Sequence, residues 1–250
     1  MLATLLHVNS AIRSSMVATS VRADADPLLD SLYELIRTGE LSPGQRVDQR
    51  AMSERLEVSR TPLREALRAM ATDGVLVRTP NAGYEVAKLS AADLLQYYSI
   101  RTFLETEVLR SLVWPDAEQL AALKEANEEC RAAANDVTID RLVSSNRTFH
   151  LMMFSWSPLT VMYKEILRVW RVSEPYRVLH LSNPDRRRRV AADHDKMIAA
   201  IEAQDAKKLV RLMDEHRGRS RNLLQDMLGS AITPALVSLP QDSRRARQSS

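Results

Sequence analysis

Residues 58–67 read VSRTPLREAL, and the pattern of this stretch is the strongest indication of the fold in the first part of the chain. Ser59 is a residue type that often caps a helix, and a proline is tolerated in the first helical turn. Leu63 and Leu67 are one helical turn apart and therefore share a face. Gly74 is a residue type that ends helices. The stretch predicts a helix that begins after Ser59, buries its leucines and ends at Gly74.

The sequence around this helix predicts two earlier helices and a later β-hairpin. An aspartate followed by proline suits a helix start, and two alternating stretches separated by a turn suit a hairpin. The predicted boundaries are Asp26 to Gly39 for the first helix, Asp48 to Leu56 for the second, and 75–78 and 84–89 for the strands. Three helices followed by a hairpin are typical of a winged helix-turn-helix, which we predict for residues 26–89.

One face of the third predicted helix carries arginines. Arg60, Arg64 and Arg68 follow one another at intervals of four residues, so they share a face opposite the leucines. Arg60 and Thr61 lie at the helix N-terminus, the end that reaches base edges when a recognition helix enters the major groove. A guanidinium group pairs bidentately with guanine or with phosphate. Arg50 lies on the preceding helix, where such a unit meets the DNA backbone.

The overall composition does not by itself indicate a nucleic-acid-binding protein. The net charge is only +3, so the basic residues of a DNA-binding surface must be clustered. The alternative for the arginine face is a solvated surface that Glu54 and Glu65 partly neutralise. The single cysteine, Cys130, excludes an internal disulfide framework. The sequence contains no apolar run as long as a membrane span, so a membrane is not an expected partner.

From Ser90 onward the hydrophobic pattern is helical. Four of the six glycines fall between residues 39 and 83, and the next is Gly218. The connections between the later helices are short, which favours antiparallel neighbours. The predicted helices run from Ser90 to Trp114-Pro115 and over 116–134, 138–155, 159–180 with a break near Pro175, 185–203 and 205–228.

The predicted fold is therefore mainly α. An N-terminal winged helix-turn-helix at 26–89 precedes a C-terminal antiparallel all-α helical bundle at 90–228. Residues 1–25 are predicted to be a disordered leader, the alternatives being a transit peptide or a true start at Met16. Residues 229–250 are rich in Ser, Pro and Arg and are predicted to be a disordered tail.

Three histidines of the helical region are candidate metal ligands. Asn146 and His150 are four residues apart on one predicted helix, so their side chains share a face. His194 and His216 lie on two later helices. Three imidazoles and an oxygen donor suit a divalent ion such as Zn²⁺, Ni²⁺ or Mn²⁺, with positions left for water or an organic acid. The alternative is that each histidine is exposed or hydrogen-bonded within its own surroundings.

The N-terminal motifs resemble the DNA-binding domain of the GntR family of bacterial transcription regulators. The resemblance rests on RAMSERL at 50–56, on the 58–67 stretch, on Asp73-Gly74 and on GYEV at 83–86. It implies a homodimer that binds double-stranded operator DNA in the bacterial cytoplasm, at the nucleoid. The residues implied in DNA contact are Arg50, Ser59, Arg60, Thr61 and Arg64, with Asn81 and Gly83 in the wing.

The helical region resembles the effector-binding FCD domain of the FadR-type branch of the same family. The motifs are NRTFH at 146–150, DHDKMIAAI at 193–201 and MDEH at 213–216. The resemblance implies that Asn146 and the three histidines hold a divalent metal ion with a carboxylate effector against it. Arg101 matches the position that often faces the effector's carboxylate; the alternative is a surface pair with Glu105. The histidines favour a small organic acid over a lipid-derived effector, because the fatty-acyl-binding relatives lack the metal site.

The sequence therefore predicts a DNA-binding transcription regulator, specifically a repressor, whose operator affinity a small carboxylate or lipid-derived effector modulates. It does not predict an enzyme. One alternative is a metal-dependent helical-bundle enzyme that uses the histidines, and another is a DNA-binding protein with no effector. The four arginines at 186–189 are interpreted either as an exposed charged face or as a binding site for an anionic effector or DNA phosphate.

Overall fold

The computed structural model describes residues 26–80, 82–136, 139–176, 181 and 183–228. The chain divides into two compact units, residues 1–88 and 89–250. The predicted leader, the predicted tail and Asn81 lie outside the described residues. None of the helices in the described ranges is long and apolar enough to cross a membrane.

The first unit contains three helices followed by a hairpin, as predicted. Asp26 caps the first helix by accepting a hydrogen bond from the backbone N–H of Leu28 at 2.9 Å. Asp48 caps the second by accepting from the N–H groups of Arg50 and Ala51. The elements are α1 (Pro27–Arg37), α2 (Gln49–Arg55), α3 (Arg60–Thr72), β1 (Leu76–Thr79) and β2 (Gly83–Val86).

The apolar face of α3 forms the core of this unit. Leu63, Leu67 and Met70 are at most 1% exposed, and Leu32 of α1 is fully buried. β1 pairs with β2 in antiparallel register, from Leu76 opposite Val86 to Thr79 opposite Gly83. Burial of this face leaves the opposite side of α3 to solvent.

Two details of this unit differ from the sequence prediction. Ser59 precedes α3 in an extended conformation, but its side chain makes no cap hydrogen bond. The second strand ends at Val86 rather than at residue 89. A bridge between Arg46 and Glu85 instead extends the sheet on its other side, and the N–H of Val47 donates to the carbonyl of Tyr84 at 2.9 Å. Sequence reasoning missed this bridge because a single residue pair leaves no alternating pattern.

The second unit is a helical bundle over its described residues. Helix α4 packs against α7 and α9, while α5 packs against α6 and α8. Phe149, Phe154 and Trp170 are among the large side chains at most 1% exposed in its core. The helices are α4 (Ala91–Arg110), α5 (Ala117–Ala133), α6 (Asp140–Ser155), α7 (Thr160–Ser173), α8 (Pro184–Glu202) and α9 (Ala206–Leu228), and a 3₁₀ turn (Glu174–Tyr176) follows α7.

One helix of the bundle ends earlier than predicted, and another is interrupted near the predicted position. Helix α4 stops at Arg110, because the N–H of Val113 is bonded to the carbonyl of Trp156 and no longer continues the helical pattern. Helix α7 stops at Ser173, where the 3₁₀ turn containing Pro175 begins. Proline lacks the N–H that a continuing helix needs.

Candidate DNA-binding face and metal centre

The arginine face of α3 is exposed. Arg60, Arg64 and Arg68 are open to solvent, whereas the opposite face of the helix is buried. In the part of the chain that the structure describes, no carboxylate lies within 4.0 Å of these three guanidinium groups. Neither Glu54 nor Glu65 neutralises them there. The positive ends of the three side chains are therefore available to an anionic partner.

Arg50 of α2 lies beside this face. Its Nε lies 3.0 Å from Glu54 Oε1, and the two side chains are 81% and 68% exposed. An exposed pair of this kind contributes about 0–1 kcal/mol, so a phosphate group can displace Glu54 at little cost. The two helices border a shallow hollow lined by Val47, Asp48, Gln49, Arg50, Arg60, Leu63 and Arg64. The predicted DNA-contacting arginines of the two helices thus share one surface.

The other predicted DNA-contacting residues lie around the same helix and in the hairpin. Ser59 and Thr61 are exposed at the N-terminus of α3. Gly83 begins β2 with a φ of +88°, a left-handed conformation that favours glycine. A Cβ at this position would lie 3.4 Å from the side-chain nitrogen of Gln49. Asn81 lies outside the described residues.

The three predicted histidine ligands converge inside the bundle. His150, His194 and His216 come from α6, α8 and α9, and one nitrogen of each lies within 4.8 Å of the others. The Nε2 atoms of His150 and His194 are 3.3 Å apart. His150 and His194 are at most 2% exposed. Of the four residues predicted to bind a metal ion, the three histidines therefore lie close together.

The imidazole of His194 is oriented by a network that the sequence did not predict. Asn127 of α5 donates through Nδ2 to the carbonyl of Ala191 at 3.2 Å and to Asp195 Oδ1 at 2.7 Å. Its Oδ1 therefore faces His194 Nδ1, at 3.0 Å, and accepts the proton of that nitrogen. Arg131 holds Asp195 in turn through both carboxylate oxygens. In the neutral imidazole the lone pair is then on Nε2, the nitrogen that faces His150.

His216 is oriented by Asp193 on the neighbouring helix. Its Nδ1 lies 3.4 Å from Asp193 Oδ2, and Arg219 pairs with the same carboxylate. Burial alone would raise the pKa of Asp193, but the hydrogen bond from His216 and the charges of His216, Arg219 and Lys196 lower it below its ordinary value. Asp193 thus remains an acceptor for the Nδ1 proton of His216. Two of the three histidines therefore have a carboxylate or amide oxygen on Nδ1, as is typical of metal-ligating histidines.

Asn146 lies one turn before His150 on the same helix, and it is 1% exposed. Its amide nitrogen has no hydrogen-bond partner in the described chain. An orphaned buried amide is costly unless something absent from the polypeptide satisfies it. The unpartnered N–H group suits an acceptor such as an effector oxygen, whereas a metal ion would be held by the amide oxygen and the three imidazole nitrogens. The imidazoles suit Zn²⁺ or Ni²⁺, and the oxygen also suits Mn²⁺. The amide oxygen is a weaker ligand than a carboxylate.

Arg101 is buried, and it does pair with Glu105, but not on the surface. The Nε of Arg101 lies 2.8 Å from Glu105 Oε1, with side chains 5% and 0% exposed. Glu105 also accepts from Trp170 Nε1 at 2.7 Å and from Arg217 Nη1 at 2.9 Å. The Arg101 guanidinium lies over the Trp170 ring, 4.4 Å from its centroid. The centroid of the Trp170 ring in turn lies 5.6 Å from that of the His150 ring. Arg101 and His150 are therefore neighbours of the same tryptophan.

The charges of this cluster hold one another ionised. Burial alone would raise the pKa of Glu105, but the charges of Arg101 and Arg217 lower it below its ordinary value. Burial would likewise lower the pKa of Arg101, whereas Glu105, Tyr98 and Glu174 raise it. Two buried guanidinium groups thus face one fully buried carboxylate. Asp214 pairs with Arg217 as well, so the positive charges of the cluster are matched by carboxylates.

The four arginines at 186–189 differ in their contacts. Arg187 donates to the backbone carbonyls of Leu181 and Asp136, at 2.8 and 3.1 Å, and so fastens the start of α8. Arg188 pairs with Asp185 on the same helix. Arg189 is exposed. The interpretation as an exposed charged face therefore fits part of the run, and Arg187 has a structural contact instead.

Sequence reasoning missed Asn127, Arg217 and Glu174, although all three are buried. Asn127 lies 67 positions from His194, and Arg217 lies 112 positions from Glu105. No local spacing connects residues so far apart. The one available signal was the position of Asn127 on the apolar face of its helix, where a polar residue requires a partner.

Comparisons with known proteins agree with this architecture. The family model described as "Bacterial regulatory proteins, gntR family" matches residues 25–86, and the FCD domain model matches residues 96–219. The chain belongs to the GntR family and carries an FCD domain. Each family model falls within one of the two units. The GntR domain thus contains α3, and the FCD domain contains the histidines.

This GntR-family regulator is similar to proteins named as transcriptional regulators, not as enzymes. It is 25% identical over 207 residues to the Nta operon transcriptional regulator of Aminobacter aminovorans, and the aligned region covers 82% of this chain and 96% of the relative. It is 26% identical over 179 residues to the regulator McbR of Escherichia coli K12, covering 70% and 81%. The solved structure of E. coli McbR/YncC has the same fold, with a TM-score of 0.74 at 23% identity, covering 81% and 97% of the two chains. The enzyme alternative is therefore set aside.

Proposed function

We propose that this regulator is a repressor of the FadR-type branch that binds operator DNA as a homodimer. Arg60 and Arg64 contact bases or phosphates in the major groove, together with Ser59 and Thr61 at the start of α3. Arg50 contacts the backbone, and the wing at Asn81 and Gly83 reaches the adjacent minor groove. Two copies place two recognition helices on the half-sites of a near-palindromic operator. Such a protein acts in the cytoplasm, at the nucleoid.

The observation that carries this proposal is the exposed arginine face of α3. Its guanidinium groups have no carboxylate partner in the described chain. A helix that only covers the core would gain from opposite charges at intervals of four residues, which offset one another. Here Arg60, Arg64 and Arg68 repel one another along one face, and duplex phosphate relieves that repulsion.

Replacement of Arg60 or Arg64 by alanine tests the proposal. Wild-type protein first selects an operator from a random duplex library, and fluorescence anisotropy then measures binding to that operator. Each variant is expected to lose affinity by about tenfold to a hundredfold, the discrimination that one bidentate arginine supplies. Its circular dichroism spectrum should remain that of the wild type, because both side chains are exposed.

Arg110→Ala is the matched control for the loss of one positive charge. Arg110 is 62% exposed on α4, outside the winged unit. Its variant is expected to bind the operator as the wild type does. Equal affinities for Arg60→Ala, Arg64→Ala and Arg110→Ala would contradict the proposal.

In the helical unit, the residues that would hold a metal ion are Asn146, His150, His194 and His216. A bound ion supplies a Lewis acid that attracts a carboxylate of the effector. The buried Nε donor of Arg217, which has no hydrogen-bond partner among the described residues, suits the same anionic group. Contact with an acyl chain would leave the buried polar side chains around the histidines and Arg101 without hydrogen-bond partners, which costs free energy. A small carboxylate therefore fits better than a lipid-derived effector.

Effector binding would change operator affinity by favouring one of two arrangements of the winged units in the dimer. The bundle residues do not contact DNA in this scheme; they alter the spacing or freedom of the recognition helices. A DNA-binding protein with no effector remains the competing function. Absence of any bound ion and of any acid-dependent shift in stability would favour that competitor.

A further inference from the structure

Glu174 has a buried carboxylate oxygen that the chain leaves unsatisfied. The residue is 6% exposed in the 3₁₀ turn after α7. Its Oε2 accepts from Arg147 Nη1 at 3.1 Å, whereas its Oε1 has no hydrogen-bond partner among the described residues. A charged acceptor left unpaired in this way is costly. Its persistence points to a donor outside the polypeptide.

The position of Glu174 relates it to the proposed effector site. It lies four residues after Trp170, so the two side chains lie on the same side of consecutive helical turns. Trp170 carries the Arg101 guanidinium on its face and lies 5.6 Å from the His150 ring. Glu174 is also close enough to Arg101 to act on its charge. Arg147, its partner, directly follows Asn146 on α6.

The orphaned atoms of this region differ in their hydrogen-bonding sense. Asn146 Nδ2 and Arg217 Nε are buried donors without partners in the described chain, and Glu174 Oε1 is a buried acceptor without one. A plain carboxylate supplies only acceptors, which suit the two donors and the arginines. It cannot satisfy Glu174, whose oxygen requires an O–H or N–H group.

We propose that Glu174 accepts a hydrogen bond from the effector, so that the effector is a carboxylic acid that also bears a hydroxyl or amino group. This inference rests on the proposed effector function of the same unit. The acid group lies toward the metal ligands and Arg101, and the donor lies toward Glu174 Oε1. Glu174 is then a specificity residue: it rejects acids that leave its oxygen unpaired.

The test compares acids that differ only in the donor group. Propanoate, lactate and alanine form one series, and butanedioate, malate and aspartate form another. Isothermal titration calorimetry measures the Kd of each acid with the full-length, metal-loaded protein. In the series that binds, an acid with a hydroxyl or amino group is expected to bind at least about tenfold more tightly than its plain counterpart, the effect of one hydrogen bond to a charged group.

Variants of Glu174 assign that preference to this residue. Glu174→Leu should bind the plain and the donor-bearing acid equally, because the acceptor is gone. Glu174→Gln distinguishes the two donors, since its amide can donate to a hydroxyl oxygen but offers no charge to an ammonium group. It should therefore lose the amino acid and retain much of the hydroxy acid. Glu165→Gln, at a half-exposed position on α7, is the control and should keep the wild-type preference.

The outcomes separate the two levels of the proposal. If no acid of either series binds, the effector function falls and this inference falls with it. If plain and donor-bearing acids bind the wild type equally, or if Glu174→Leu keeps the preference, the effector function stands and the role of Glu174 is wrong. Operator binding by each variant in the absence of acid verifies that the fold is intact.

Discussion

Glu105 shows how a single residue organises the interior of the bundle. Three donors converge on its carboxylate, from Arg101, Trp170 and Arg217, at 2.7 to 2.9 Å. The residue is fully buried. Without it Arg101 would lose its buried counter-charge and Arg217 would keep only Asp214. An unpaired buried charge is far more costly than a paired one.

Replacement of Glu105 by glutamine should therefore destabilise the protein by about 3–5 kcal/mol, because Arg101 loses its buried counter-charge and Arg217 keeps only the half-exposed Asp214. Urea unfolding measures the change. Glu107→Gln is the control: this residue is 36% exposed and pairs with Arg110, so its variant should lie within about 1 kcal/mol of the wild type. A similar stability for both variants would show that the buried carboxylate is not needed.

The same residue gives a pH dependence with a defined sign. The pKa of Glu105 is lowered in the folded protein relative to its ordinary value of 4.5. Its stabilisation is therefore present above pH 4.5 and is lost as the pH falls below that value. We expect the Glu105→Gln variant to show a smaller decrease in stability on acidification than the wild type, and an identical decrease would contradict this assignment.

At the scale of elements, replacing a glycine by alanine has opposite effects on stability in a helix and in a turn. Gly218 lies inside α9, where an added Cβ would meet nothing within 4 Å. Gly83 begins β2 at a φ of +88°, which side chains with a Cβ rarely adopt. The same substitution is thus favourable at one position and strained at the other.

Gly218→Ala should stabilise the protein by about 0.5–1 kcal/mol, the difference in helix propensity between the two residues. Gly83→Ala should destabilise it by about 1–2 kcal/mol because of the left-handed backbone. Differential scanning calorimetry of both variants measures the two signs. Destabilisation by Gly218→Ala would mean that this segment of α9 is in contact with something that the described residues do not include.

At the scale of the whole molecule, the chemistry is divided between the two units. The exposed arginine face of α3 belongs to residues 1–88, and the three candidate metal-ligating histidines belong to residues 89–250. The three tryptophans, Trp114, Trp156 and Trp170, all lie in the second unit. Tryptophan fluorescence therefore reports on the unit that contains the candidate metal centre, without a contribution from the winged unit.

Zn²⁺, Ni²⁺ or Mn²⁺ added to chelator-treated protein should raise the melting temperature detected by tryptophan fluorescence. An ion at a hundred times its Kd stabilises the folded state by about 2.7 kcal/mol, which corresponds to several degrees. His194→Ala should remove most of this increase. Glu202→Ala, at an exposed position on the same helix, should keep it. If none of the three ions stabilises the wild type, the metal centre is excluded.

Features that depend on neighbours within a few positions could be predicted from the amino-acid sequence. Helical periodicity, caps such as Asp48 and the glycine turns predicted the order and type of the elements, and the motif at 58–67 predicted the exposed arginine face. The sequence also identified three histidines as candidate ligands, although their spacing alone did not show that they meet and only the resemblance to the FCD domain implied it. Helix spacing fixes the direction of a side chain on its own helix only.

Which helices face one another became known from the three-dimensional fold. It placed Arg101 in a buried cluster with Glu105 and Arg217, where the sequence offered an effector contact or a surface pair. It brought Asn127 to His194 and left the Oε1 atom of Glu174 without a donor. These contacts join residues far apart in the chain. They arise because the bundle buries several polar groups together, and each buried group requires a partner that no local pattern specifies.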